Sequence, residues 1–289
     1  MKDYIIITDS CSDLPAYLIE DEHLKVLPLG FNIDGKNYKN YSDERDMTNK
    51  EFYSLIRNKK NPTTSQVTPI EFINAIEPIL KDNKDVLCII FSSALSGTYN
   101  SLLIAKEELE EKYQNAKIIA IDSLCSSFGQ GLLIHQAINL KKDGKTIDEV
   151  ARFVEDNKLN LCHFFTGDDL YHMKRGGRLS ATKAFLGTVL QLKPIIYMDN
   201  MGRLVPITTA RGRKGAFKKI IKLMEERITS FTKTVFISHG DCVDDANFVA
   251  LLIKEKFNIK NIFLSFIGPV IGSHAGPNVI GVFFFGSHR

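Results

Sequence analysis

Residues 85–101 read DVLCIIFSSALSGTYNS. An unbroken apolar run empties into a loop of hydroxyls around one glycine, and Leu102, Ala105 and Leu109 then fall on one helical face. A short apolar run, a turn-rich loop and a 3.6-residue period predict strand, loop and helix of an α/β fold. Such a loop lies beyond the carboxyl end of a strand, where ligands collect in open α/β sheets. It holds no lysine for a nucleotide phosphate, no acidic residue for a metal and no histidine beside a serine. A ligand here is expected to be held by neutral donors.

The same alternation extends in both directions. YIIIT (4–8) reads as a strand, SDLPAYLIEDE (12–22) as a helix, and KVLPLGFNI (25–33) as a strand running to the turn dipeptide Asp34-Gly35. Helices at 48–58 and 71–82 flank a turn-rich bridge, NPTTSQVTP, and the strand AKIIAID (116–122) precedes helices at 131–144 and 146–158. A second series has strands at 161–167, 232–240, 262–268 and 278–286, and a hairpin of 194–199 with 202–210. Its helices fall at 181–192, 214–228 and 244–257. The pattern predicts two α/β domains, 1–160 with a mainly parallel sheet and 161–289 with a mixed sheet.

Bulk properties narrow the function. A chain of 289 residues has room for two cores, and 44% apolar with 25% charged residues is a soluble composition. A net charge of +3 argues against a nucleic-acid partner. MKDYIIITDS meets Asp9 too soon for a secretory signal, and no apolar run approaches the roughly 20 residues that span a bilayer, so no stable membrane insertion is expected. The cysteines (Cys11, Cys88, Cys125, Cys162, Cys242) are odd in number and never spaced C-x-x-C. Reduced thiols in a cytoplasmic protein without a zinc site are the expectation.

Four loops collect hydroxyls, glycine or histidine at expected strand ends: TDSCSDL (8–14), PTTSQ (62–66), SSALSGTY (92–99) and IGSHAGPN (271–278). Any one of them is explained by capping or turn chemistry; four together point to a site. Neither a Walker phosphate loop nor a G-x-S-x-G elbow is present. GQGLLI (129–134) lacks the third glycine of a dinucleotide fingerprint and reads as a close helix-packing site. Cys11 is either a thiol activated at a helix N-terminus or an inert buried one, and no base can be assigned to it. His163, Asp168, Asp169 and His172 match no helical pair of metal ligands and read as loop and surface residues. His274, in a short Gly-Ser-His-Ala-Gly-Pro turn, is either aimed at a ligand or bonded to a nearby carbonyl. KRGGRLS (174–180) is a cationic turn, and TARGRKGAFKKIIK (209–222) is either a solvated face or a partner surface.

TDSCSDL, TTSQ, SSALSGTYNS, KRGGRLS, TARGRK and IGSHAGPNVIGVFF occur in that order over nearly the whole chain. Together they resemble the DegV family, fatty-acid-binding proteins that include the B subunits of bacterial fatty acid kinase. The resemblance implies two α/β domains with a long-chain fatty acid in a tunnel and its carboxylate near their interface. By motif, Thr64 and Ser96 would bind the carboxylate, Ser65 would lie close by, and His274 would approach from the second domain. No cofactor or metal is implied. The partner would be a fatty acid kinase catalytic subunit, with Arg178, Arg211 and Arg213 as candidate docking residues. Val67 stands where the family usually has proline, and Ala275 where threonine is common.

Elementary energetics fit such a ligand. An ionised carboxylate only accepts hydrogen bonds, and each one contributes about 1.5–3 kcal/mol. Burying about 15 methylenes at ~0.8 kcal/mol each contributes on the order of 12 kcal/mol before ordering costs. The tail then dominates affinity, and the head-group contacts fix position. A hydrolase or transferase with Ser96 as nucleophile and His274 as base is the alternative, weakened by the lack of a fixed acid to orient His274. A nucleic-acid-linked regulator acting through 209–222 is opposed by the near-neutral charge.

Overall fold

The computed structural model describes residues 2–19, 21–168, 170–179, 191–230 and 232–289. The chain opens with β1 (Tyr4–Asp9), a single turn of tight helix (Ser10–Ser12), α1 (Ala16–Ile19) and β2 (Leu24–Leu27). β3 (Gly30–Ile33) and β4 (Lys36–Lys39) follow, then α2 (Asn49–Arg57), β5 (Thr63–Ser65) and α3 (Pro69–Lys81). β6 (Asp85–Ile90), α4 (Thr98–Lys112), β7 (Ile118–Asp122), α5 (Phe128–Lys142) and α6 (Ile147–Asn157) complete this part. β1, β2, β6 and β7 form a parallel sheet in the order β2-β1-β6-β7, while β4-β3-β5 is a small antiparallel sheet.

The later residues build β8 (Leu161–Thr166), α7 (Tyr171–Arg175), β9 (Leu192–Met198), β10 (Leu204–Arg211) and α8 (Gly212–Glu225). β11 (Thr234–His239), α9 (Val243–Lys256), β12 (Asn261–Phe266), α10 (Pro269–Ala275) and β13 (Ile280–Phe285) end the fold. Their six strands form a mixed sheet in the order β10-β9-β8-β13-β11-β12, parallel only between β11 and β12. The fold is thus α/β with one parallel and one mixed principal sheet, as the alternation of apolar runs predicted.

Local chemistry accounts for the helix starts. Thr68 and Thr146 close capping boxes with Glu71 and Glu149, and Pro69 occupies the first turn of α3, where its missing N–H costs nothing. β6 and β8 are buried at every position, which explains their continuous apolar runs. α5 is buried from Phe128 to Ile134; its Phe128 ring meets Phe236 of β11 at 4.5 Å between centroids. One apolar cluster joins Leu87 and Ile89 of the parallel sheet to Phe165 and Phe283 of the mixed one through this helix. The glycines of GQGLLI permit that approach: a Cβ at Gly129 would strike the His163 ring, and one at Gly131 would lie 2.7 Å from the Ser12 carbonyl.

Four sequence expectations change. The helix expected over 12–22 shrinks to α1, because Asp13 adopts φ 50 and the Asp9 side chain caps the preceding turn by accepting from Cys11 N–H. The strand expected over 25–33 splits at Pro28, which has no N–H for a ladder, so its halves join different sheets. Part of the bridge NPTTSQVTP is a strand, β5, paired with β3. The IGSHAGPN turn is mostly helical: Pro269 opens α10 and Gly276, at φ 81, ends it. The helix expected over 181–192 falls outside the described residues except for Gln191 and Leu192, and Leu192 opens β9.

Candidate functional site

The ends of several elements converge on a cavity of about 350 Å³, within the range of small-ligand sites. β5 supplies Thr64 and Ser65, followed by Gln66, and the loop after β6 supplies Phe91, Leu95, Ser96 and Gly97. Val270, Ile271, His274 and Ala275 enter from α10, and Met173 from α7. Leu29, Ser126, Arg178 and Leu204 complete the lining. One part of the wall is therefore aliphatic and aromatic, and another carries hydroxyls, an amide, an imidazole and a guanidinium.

Thr64, Ser65, Ser96 and His274, which the sequence singled out, all meet in this cavity. Thr64 Oγ1 lies 2.8 Å from His274 Nε2, joining residues 210 positions apart. His274 sits in the last turn of α10 and packs against Gly176, where any Cβ would collide with its Nδ1. That nitrogen is buried without a hydrogen-bond partner among the described residues. Burial, then the charges of Arg178 and Arg175, push the imidazole pKa down to about 4, so the ring is neutral near pH 7. With Nδ1 unpartnered, we assign the single proton to Nε2, which donates to Thr64 Oγ1 and leaves the Thr64 hydroxyl hydrogen free for a ligand.

Ser96 lines the cavity and also bonds to the start of α4. Its Oγ accepts from the Thr98 N–H at 3.2 Å, capping the first turn of α4, and shares a 2.9 Å hydrogen bond with Thr98 Oγ1. Gly97, the residue that caps α4, lines the cavity beside Ser96, so the positive end of the helix dipole lies at this wall. Gln66 lies across Gly97 so closely that a Cβ there would overlap its amide, while its Nε2 donates to Ser101 Oγ at 2.7 Å. No hydrogen bond joins Ser96 to His274 among the described residues, so the nucleophile–base pair of the alternative reading is not assembled.

The basic residues separate. Arg178 lines the cavity, held by hydrogen bonds to the carbonyls of Leu95 (3.2 Å) and Gly176 (2.6 Å). The expectation of purely neutral donors is corrected: the loop 91–101 contains no cation, but the KRGGRLS turn brings one to it from elsewhere in the chain. Arg211 is exposed, its Nε bonded to Gln191, whereas Arg213 is tied to Asp245 and Asp168. Ser126 and Gln66 were missed. The Ser126 signal was present, since IIAIDSLCSS repeats the pattern of a strand ending in hydroxyls.

The remaining candidates take other places in the chain. Cys11 is fully buried, and burial followed by Asp9 raises its pKa well above the ordinary thiol value. His163 is a core residue of β8 and not a surface one, with Nδ1 2.9 Å from the Leu161 carbonyl. Asp168 pairs with Lys193 and Arg213, His172 belongs to α7, and Asp169 lies outside the described residues. Among the described residues no helix is long and apolar enough to cross a membrane.

Comparison with known proteins shows the family. The model of the DegV family, described as "Uncharacterised protein, DegV family", matches residues 4–287. The chain belongs to the DegV family. A DegV domain-containing protein of Clostridium perfringens is 46% identical over 290 residues, covering 100% of this chain and 99% of that one. A DegV family protein from Thermus thermophilus, described for its fatty acid binding, has a TM-score of 0.89 at 28% identity, covering 99% of this chain and 100% of that one. A DegV family protein from Ruminococcus gnavus, solved with vaccenic acid, has a TM-score of 0.88 at 25% identity and covers 97% and 99% of the two chains.

Proposed function

We propose that this DegV protein binds a long-chain fatty acid in the cavity and presents its carboxylate to a fatty acid kinase catalytic subunit for ATP-dependent acyl phosphate formation. The observation that carries the first part is the Thr64–His274 pair set into an otherwise largely apolar cavity. Thr64 and Ser96 donate hydroxyl hydrogens to the carboxylate, Ser65 lies beside them, and the neutral His274 holds Thr64 in its donating orientation. Arg178 adds positive charge at the head without enclosing it, since its Nε and one terminal nitrogen already serve backbone carbonyls. In this reading an N-terminal domain, 1–160, carries the hydroxyl loops and a C-terminal domain, 161–289, carries His274. Binding of fatty acids by DegV relatives supports it.

For the kinase partner, Arg178 and Arg211 are the docking residues, with Arg213 contributing less because its guanidinium is engaged within the chain. The protein acts in the cytoplasm and supplies no catalysis alone. Denaturing mass spectrometry of the purified protein should release a fatty acid of roughly 14–18 carbons, the length at which methylene burial outweighs ordering costs. Absence of stoichiometric lipid together with no uptake of palmitate or oleate rejects the binding. Failure of the loaded protein to support acyl phosphate formation by a fatty acid kinase catalytic subunit rejects the presentation step alone.

A further inference from the structure

The TDSCSDL motif does not line the cavity, although it is one of the hydroxyl-rich loops of the sequence. Its two carboxylates are buried and face backbone. Asp9 Oδ2 accepts from the Phe91 N–H at 2.8 Å, where β6 gives way to the loop bearing Ser96, and from Gln130 Nε2 at 3.2 Å. Asp13 Oδ1 accepts from the Gly268 N–H at 2.9 Å, and Gly268 is the residue that caps α10. The other oxygen, Oδ2, accepts from the Ser127 hydroxyl at 2.5 Å, and Ser127 follows the cavity-lining Ser126. Ser265 of β12 donates to the Asp13 carbonyl at 3.3 Å.

We infer that Asp13 is a positioning residue of the head-group site, seating α10 and the 123–127 turn so that His274 and Ser126 face the hydroxyl loop. This rests on the fatty-acid reading above. A short brace suffices because α10 is one rigid piece: from Gly268 to His274 is six residues, roughly 9 Å at 1.5 Å each, so a shift of its capped end reaches the imidazole. The 123–127 turn needs holding as well. Leu124 and Ser127 have φ of 51 and 52, a region L-residues occupy only when their surroundings enforce it. Asp9 fixes the facing loop from the same motif, so the two sides of the head-group site are referred to one seven-residue segment.

The test separates positioning from general stability by comparing palmitic acid with hexadecanol, which shares the tail and lacks the carboxylate. Affinities for both are measured by displacement of a fluorescent fatty acid from wild type, Asp13→Ala, Asp13→Asn and Ser127→Ala, alongside thermal unfolding. Asp13→Ala is expected to weaken the acid at least about tenfold and the alcohol less than about threefold, since one charge-assisted hydrogen bond to the carboxylate carries that factor. Asp13→Asn retains a carbonyl acceptor for the Gly268 N–H and should restore most of the preference. If Asp13→Ala does not fold, Ser127→Ala and Gly268→Ala carry the test. A Cβ at Gly268 would sit 2.9 Å from Asp13 Oδ1 and 3.0 Å from Asn40 Nδ2, while its backbone at φ −67 accepts alanine, so that variant crowds the Asp13 contact together with the Asn40 amide, and Ser127→Ala is the cleaner of the two. Folded variants with the wild-type acid-to-alcohol ratio overturn the assignment and leave the fatty-acid reading standing. A wild type without preference for the acid, or without affinity for either lipid, removes that reading and the assignment with it.

Discussion

Replacing Thr64 by valine removes one hydroxyl and little volume, yet it touches two interactions at once. Thr64 Oγ1 is the partner of His274 Nε2 at 2.8 Å, and His274 Nδ1 already lacks a partner among the described residues. On the proposed function the variant deletes a donor to the carboxylate, costing about 1.5–3 kcal/mol. It also leaves both nitrogens of a buried imidazole unsatisfied, a further penalty of about 1–3 kcal/mol on keeping the ring in place. His274→Ala removes the ring but leaves Thr64 free to turn its hydroxyl elsewhere. If the pair acts as a unit, the double variant should lose no more than the worse single one, so that the coupling energy is at least about 1 kcal/mol. Palmitate dissociation constants for wild type, the two singles and the double give this cycle directly. Single losses of about 10- to 150-fold are expected. Losses that add within about 0.5 kcal/mol would show that threonine and histidine act independently, and the assigned Nε2–H donation would be wrong.

The His274 pKa, lowered to about 4 from 6.5, has a defined sign: between those values the unfolded chain is protonated at this residue and the folded one is not. The resulting stability is present above pH 6.5 and declines by up to about 3 kcal/mol as pH falls to 4. Asp9 and Asp13, raised to about 6 and about 7 by burial, run the other way and gain as pH falls through those values. Denaturant unfolding of His274→Gln against wild type at pH 4.5 and 7.5 isolates the histidine, and an unchanged difference between the two pH values would refute the shift. Ile271→Trp, on the cavity wall, should abolish lipid retention while costing about 1–3 kcal/mol of stability from overpacking, as read by mass spectrometry and thermal unfolding. Arg289→Ala should destabilise the fold by about 3 kcal/mol, because the guanidinium donates to the carbonyls of Leu124, Lys158, Leu161 and Asp199. A melting temperature within a degree of wild type would contradict that role.

The sequence by itself determined the alternation of strands and helices, the parallel and mixed character of the two principal sheets, and the segments that bear Thr64, Ser65, Ser96 and His274. These features are local: β6 is legible because all six of its positions are buried, and the capping threonines of α3 and α6 act over three residues. Proline and glycine were legible only as punctuation. Pro28 ends one strand and separates two sheets, and Pro269 with Gly276 turns an apparent loop into α10. Those outcomes depend on where the flanking backbone finds partners, which no short window contains. What tertiary structure alone decided is which polar groups meet. Thr64 reaches His274 across 210 residues, Asp13 reaches Gly268 across 255, and Arg178 reaches the Leu95 carbonyl across 83. The same distance in sequence explains why the cation at the cavity was not visible from the hydroxyl loop. A binding site is a sum of such long-range contacts, and their geometry is fixed only when the cores beneath them have packed.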